Sequence, residues 1–219
     1  MAKRKDFVVF GLGKFGRSVA LTLVNNGCDV LAIDRNDDII QDVSDFVTHA
    51  VQADVTDADA LQALGIRNFD VAIVAISNDM QSSIMATILA KEMGVSYVIA
   101  KAQNEIHKKV LEKVGADQVI FPERDIGVRI ANNLSSDSFV DFIELSNDFS
   151  IVEIEVDQEW VGKTIRELDL RKNYGLNVIG MRSGETISIT PGPDKFLSIH
   201  EVLIVIGNNE NLKRFSKSV

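Results

Sequence analysis

Between residues 7 and 134, short apolar runs rich in Val, Ile and Phe alternate with longer segments whose apolar positions recur every three or four residues. The runs are continuous rather than alternating, which is the pattern of strand–helix–strand units feeding a parallel sheet covered on both faces. Six strands are expected, at residues 7–10, 30–33, 48–52, 71–76, 97–101 and 118–121, each followed by a helix. Gly27, Gly65, Gly94 and Gly115 fall just past periodic segments, where a helix ends most easily on a residue without Cβ. Asp57 and Asn104 precede helical segments as expected N-caps, and Glu123 follows Pro122 at the start of the sixth helix.

The pattern changes at the polar run NNLSSDS, residues 132–138. Beyond it lie shorter alternating stretches at 139–145 and 151–156, strands near 177–182, 186–189 and 201–207, little helix except 164–168 and the C-terminal tail, and the rigid turn Pro191-Gly192-Pro193. The expected organisation is a doubly wound α/β domain of Rossmann type over residues 1–134, then a linker and a small α+β module over 135–219. The second module is short for an independent core and is expected to dimerise.

Composition narrows the function. Asp and Glu number 32 against 23 Lys and Arg, for a net charge of −9, which argues against non-specific binding to nucleic acid or an anionic membrane. A single cysteine, Cys28, excludes an internal disulfide and fits a reducing compartment. No apolar run approaches the roughly 18–20 residues needed to span a bilayer, and MAKRKDF runs directly into a strand, so a cytoplasmic chain without membrane insertion is expected.

Candidate chemistry begins in VVFGLGKFGRSVALTLVNNGCDVLAID, residues 8–34. Gly11 makes the turn out of the first strand, Gly13 lets backbone approach a phosphate, and Gly16 lets the following helix lie close to the sheet. That helix turns free N–H groups and the positive end of its dipole toward the phosphates. Asp34 stands 18 residues past Gly16, at the end of the second strand, where a carboxylate accepts the ribose hydroxyls and repels a 2′-phosphate; Arg35 beside it softens that repulsion. Lys14 reads either as a solvated residue of the first helical turn or as a charge for additional phosphate, which favours ATP or ADP.

Catalytic groups are poorly represented. Tyr97 and Lys101 have the Tyr-x-x-x-Lys spacing of short-chain reductases, but VIA between them reads as strand, which separates the side chains by about 13 Å. His49 reads as structural, His200 lies in the second module, and His107 reads as a surface or capping residue of a helix start. No GxxxxGK[ST], no Cys/His zinc pattern and no nucleophile flanked by a base is present. Polar residues instead gather at the carboxyl ends of the strands: Asp54, then Ser77-Asn78-Asp79, then Lys101 and Gln103, then Glu123. Ligands of open α/β sheets bind at that edge. A nicotinamide-dependent oxidoreductase is the alternative reading, weakened by the missing acid/base pair; a Rossmann-type transcriptional regulator lacks any basic DNA-binding segment.

The blocks GLGKFG, LAID, THAVQADVTD, GIRNFDVAIVAI, KAQN, KVLEKVGADQVIFPERD and FIELS together resemble the cytoplasmic regulatory subunits of Ktr-type potassium uptake systems, in the RCK or TrkA group, over essentially the whole chain. The resemblance implies an RCK N-terminal domain, a TrkA-C domain, and dimers assembling into an octameric ring on the inner face of a potassium-transporting membrane subunit. It implies that ATP and ADP, and also NAD(H), bind at the glycine loop, with a site formed by Gly11, Leu12, Gly13, Lys14, Phe15, Gly16, Asp34, Asp54, Val55, Ile76, Ser77, Lys101, Ala102, Gln103, His107 and Glu123. Relatives often carry arginine at Lys14 and glycine at Ser77. Glu123 corresponds to the carboxylate for Mg2+ or Na+ near the phosphates. By the same analogy cyclic di-AMP binds the second module at a dimer interface, with Arg171 on a phosphate, Asn177 on a base or ribose, and Ile165, Leu176, Val178 and Pro193 lining the pocket.

Overall fold

The computed structural model describes residues 5–134, 139–146 and 148–216. Part of the polar run 132–138 and the first residues of MAKRKDF lie outside the described residues. The chain divides into two compact units, Met1–Pro122 and Glu123–Val219, which places the sixth helix with the second unit, earlier than the expected division at 134/135.

In the first unit the strands β1 (Asp6–Phe10), β2 (Asp29–Asp34), β3 (His49–Gln52), β4 (Val71–Val74), β5 (Tyr97–Lys101) and β6 (Gln118–Ile120) form one parallel sheet in the order β3-β2-β1-β4-β5-β6. Helices α1 (Lys14–Asn25), α2 (Asp37–Val43), α3 (Ala58–Ala63), α4 (Met80–Glu92) and α5 (Glu105–Lys113) connect them. Strand residues alternate between two cores: Val8, Phe10 and Ile33 with Leu61, Ala86 and Leu111 on one side, and Val9, Ala32 and Ile73 with Ala20, Ile40 and Val43 on the other. Burial on both faces explains the unbroken apolar runs. Gly27, Gly65, Gly94 and Gly115 all have positive φ at helix ends. Asp57 and Asn104 cap α3 and α5 through their side chains. The strand order reverses between β1 and β4, which opens a crevice at the carboxyl edge there.

Two histidines depart from expectation. His49 opens the edge strand β3 and is exposed, not a structural residue of the interior. His107 does not lie on the surface: it is fully buried in the first turn of α5.

In the second unit α6 (Pro122–Leu134) starts at the junction, and strands β7 (Phe139–Glu144), β8 (Phe149–Glu155), β9 (Asn177–Ser183), β10 (Thr186–Ile189) and β11 (Glu201–Asn208) form an antiparallel sheet in the order β10-β9-β11-β8-β7. Short helices α7 (Ile165–Leu168) and α8 (Leu170–Tyr174), with α9 (Asn209–Ser216), enclose a core of Val152, Trp160, Leu176, Leu203 and Phe215. Phe215 is its hub, 5.9 Å from the Trp160 ring and edge-on to Tyr174 at 5.1 Å. A reciprocal capping box, Thr164 with Glu167, starts α7.

Candidate functional site

Each polar group at the carboxyl edge of the parallel sheet is set by the turn that follows its strand. Gly11 leaves β1 with φ +89, and a Cβ there would meet Ile76 at 3.1 Å and the Ala75 carbonyl carbon at 3.3 Å. A Cβ on Gly16 would sit on the Gly11 carbonyl oxygen, so this glycine lets α1 approach β1. At Gly13 the opposite holds: nothing lies within 4 Å of a Cβ position, so the space is open to a ligand. Gly13 caps α1 without a side-chain acceptor and no acidic residue occupies the first turn, which leaves the helix N–H groups and dipole to attract an anion.

Asp34 ends β2 and holds the loop. Its Oδ2 accepts the Leu12 N–H at 2.7 Å and its Oδ1 accepts the Asn36 N–H at 3.0 Å. Each oxygen retains a further lone pair for a ligand hydroxyl. Asp54 follows β3, and its Oδ1 accepts both the N–H (2.9 Å) and the hydroxyl (2.7 Å) of Thr56; these bonds hold its pKa below the usual carboxylate range. Asp79 caps α4, accepting the Ser82 hydroxyl at 2.6 Å and N–H at 3.1 Å, which lowers its pKa in the same way.

These turns enclose a cavity of about 300 Å³. It brings together Gly11, Gly13, Asp34, Asp54, Val55, Ile76 and Ser77 of the expected site. Leu12 and Gly16 are buried behind it, Phe15 is half-buried, and Lys14 is exposed as the first residue of α1. Asp79 of the expected strand-end set and Arg35, expected beside the ribose carboxylate, also line it, and so do Ile39 and Ser82, which carry no signal in the sequence beyond their helical positions.

The end of β5 is arranged differently and does not line the cavity. Lys101 and Ala102 are buried, Gln103 is exposed, and the Lys101 ammonium stands 5.6 Å from the centre of the Phe15 ring in the glycine loop. His107 accepts the Gln103 N–H on Nδ1 at 3.4 Å, while its buried Nε2 has no hydrogen-bond partner. Burial holds its pKa below the ordinary imidazole value. Glu123 belongs to the second unit, exposed in the first turn of α6. Among the described residues no group of three or more His, Cys, Asp or Glu side chains is arranged to hold a metal.

In the second unit Ile165 opens α7 and is half-buried, Arg171 is exposed on α8, and Asn177 and Val178 begin β9. The Pro193 carbonyl accepts the Arg166 N–H at 2.8 Å, and Leu176 lies wholly inside the core. A separate cavity of about 690 Å³ is lined by other residues, including Asp157, Trp160, Lys163 and Tyr174.

The TrkA-N domain model matches residues 7–122 and the TrkA-C domain model residues 149–219. The Ktr system potassium uptake protein C of Bacillus subtilis (strain 168) is 41% identical over 99% of this chain and 98% of its own length. The Ktr system potassium uptake protein A of Vibrio alginolyticus is 36% identical, over 98% of each chain. Among solved structures, the GsuK channel superposes with a TM-score of 0.71 at 20% identity, over 98% of this chain and 39% of that one. The GsuK channel bound to NAD gives a TM-score of 0.68 at 20% identity, over 96% of this chain and 38% of that one. The likeness to these two structures is one of fold, and this chain spans less than half the length of either.

Proposed function

Since this chain belongs to the TrkA family of potassium-uptake proteins, with a TrkA-N and a TrkA-C domain in series, we propose that it is a regulatory subunit controlled by adenine nucleotides at the cavity of its first unit. It is a regulator of Ktr-type potassium uptake and not an enzyme. The observation that carries the nucleotide reading is the pairing of open space at Gly13, before an uncapped helix N-terminus, with a carboxylate at Asp34 in one cavity of about 300 Å³. A diphosphate suits the first and a ribose the second.

ATP and ADP compete for this cavity, and NAD(H) enters by the same ribose and diphosphate contacts. Each ligand favours one of two arrangements of a homo-oligomeric ring, and the ring sets the state of a potassium-transporting membrane subunit. A differential affinity of about 1–3 kcal/mol per site, added over several copies, biases a ring strongly. The exposed apolar positions Ile126, Ile130 and Leu134, spaced along α6, suit contact with another copy. Among the described residues no helix is long and apolar enough to cross a membrane. As a regulatory subunit, the chain would act on the inner face through its partner. Family membership alone supports Mg2+ or Na+ at Glu123 and cyclic di-AMP at Ile165, Arg171, Leu176, Asn177, Val178 and Pro193.

Calorimetric titration with ATP, ADP and NADH, paired with small-angle scattering of each complex, tests the reading. Saturable binding of ATP and ADP with different scattering profiles is expected; binding of neither, or identical profiles, overturns it.

A further inference from the structure

Arg35 is the one cationic residue among those that line the nucleotide cavity, and it shares the lining with Asp34, Asp54 and Asp79. Its backbone is pinned on both sides. The Arg35 carbonyl accepts from the Gln52 amide at 3.1 Å, and the next residue, Asn36, donates its N–H to Asp34. Its guanidinium, in contrast, forms no ion pair within 4.0 Å among the described residues. Its charge still reaches across the cavity, adding to the hydrogen bonds of Thr56 and Ser82 in stabilising ionised Asp54 and Asp79.

Three carboxylates at this end make it a poor place for phosphate. Ile33, Ile39 and Val55 give it apolar wall. A flat, uncharged, electron-rich ring fits both properties, and a guanidinium stacks on such a ring where an ammonium cannot match it. The phosphates belong at the other end, at Gly13 and the start of α1. We propose that Arg35 is a binding contact for the purine ring: its guanidinium covers the face of the base, offsets the Asp54 and Asp79 charges, and takes no part in holding phosphate. This rests on the adenine-nucleotide reading above.

The test compares the full-length wild type with Arg35→Ala and Arg35→Lys, titrating ADP and ATP directly and reading adenosine by displacement of ADP. Arg35→Ala is expected to weaken all three ligands by a common factor of about five- to twentyfold. Arg35→Lys restores the charge without the plane, so it should recover only part of that loss. Melting temperatures should be unchanged, because Arg35 is exposed. Loss of ADP and ATP affinity with adenosine unaffected would make Arg35 a phosphate ligand and overturn the proposal. Full rescue by lysine would remove the stacking, and unchanged affinity for all three ligands would remove the role altogether. If the wild type binds none of the three, the nucleotide reading itself falls and this assignment with it.

Discussion

The carboxyl edge of the parallel sheet has two halves built on opposite electrostatic plans. Around β1, β2 and β3, and at the start of α4, carboxylates stand at the rim with their oxygens already held by backbone N–H groups: Asp34 by Leu12 and Asn36, Asp54 by Thr56, Asp79 by Ser82. Around β5 two of the polar groups, the cationic Lys101 and the neutral His107, are withdrawn almost or wholly out of solvent, while Gln103 stays exposed. Held carboxylates need no rearrangement before they accept a ligand, which favours binding by pre-organisation. Buried groups at β5 instead cost desolvation and need internal partners. The contrast assigns recognition to the first half and structural tension to the second, and substitutions can break that division.

The largest effect is expected in the glycine loop. Gly16→Ala pushes a methyl onto the Gly11 carbonyl and to within 2.9 Å of the Ala75 Cβ, so α1 must move away from β1. Thermal unfolding should register a loss of about 2–3 kcal/mol, as for other overpacked sites, and ADP binding should vanish. Gly13→Ala is the sharper partner, because its φ of −61 suits alanine and its Cβ meets nothing within 4 Å. That variant should melt like the wild type yet bind ADP more weakly; unchanged affinity would mean that no ligand occupies the space at Gly13.

Asp34 comes next. Removing its carboxylate leaves the Leu12 and Asn36 N–H groups without their acceptor as well as removing the ribose contact. Asp34→Ala should therefore cost about 1–2 kcal/mol of stability and at least a tenfold loss of ADP affinity. Asp34→Asn keeps one oxygen for the loop, so its melting temperature should lie nearer the wild type while affinity still falls. Destabilised variants that retained full affinity would confine Asp34 to the loop.

What the sequence made legible follows from how local each cause is. The six parallel strands and the glycine turns depend on residues within a few positions of one another, and they lie where the apolar runs put them. Gly11, Gly13 and Asp34 were readable because one strand–turn–helix unit fixes their relation. Arg35 is readable only as the charge next to Asp34, and Ile39 not at all, since its place in the cavity depends on how α2 leaves β2. The helix α8 leaves no signal in the sequence, because five residues between left-handed Asp169 and Gly175 carry too little period. His107 looked like a capping residue because its neighbour Asn104 does the capping, and only the closure of α5 onto the sheet shows the imidazole turned inward.

The smallest expected effect tests the withdrawn half. His107 is the buried histidine among the described residues, His49 and His200 being exposed. With Nδ1 accepting from Gln103, the neutral ring carries its proton on Nε2, which has nothing to donate to. Burial lowers its folded pKa, so the unfolded chain takes up a proton at a pH where the folded chain does not. Stability from this residue is therefore complete above about pH 6.5, the ordinary imidazole value, and is lost as the pH falls below it. His107→Leu replaces the unpaired donor with apolar volume and should sit within about 1 kcal/mol of wild type at neutral pH, since an unmet buried group is itself a cost. The variant should show a shallower fall in melting temperature toward pH 5 and keep ADP affinity to within about twofold. An unchanged pH dependence would show that the ring is not held neutral by burial, while a large loss of affinity at unchanged stability would move the end of β5 into the recognition half and dissolve the distinction.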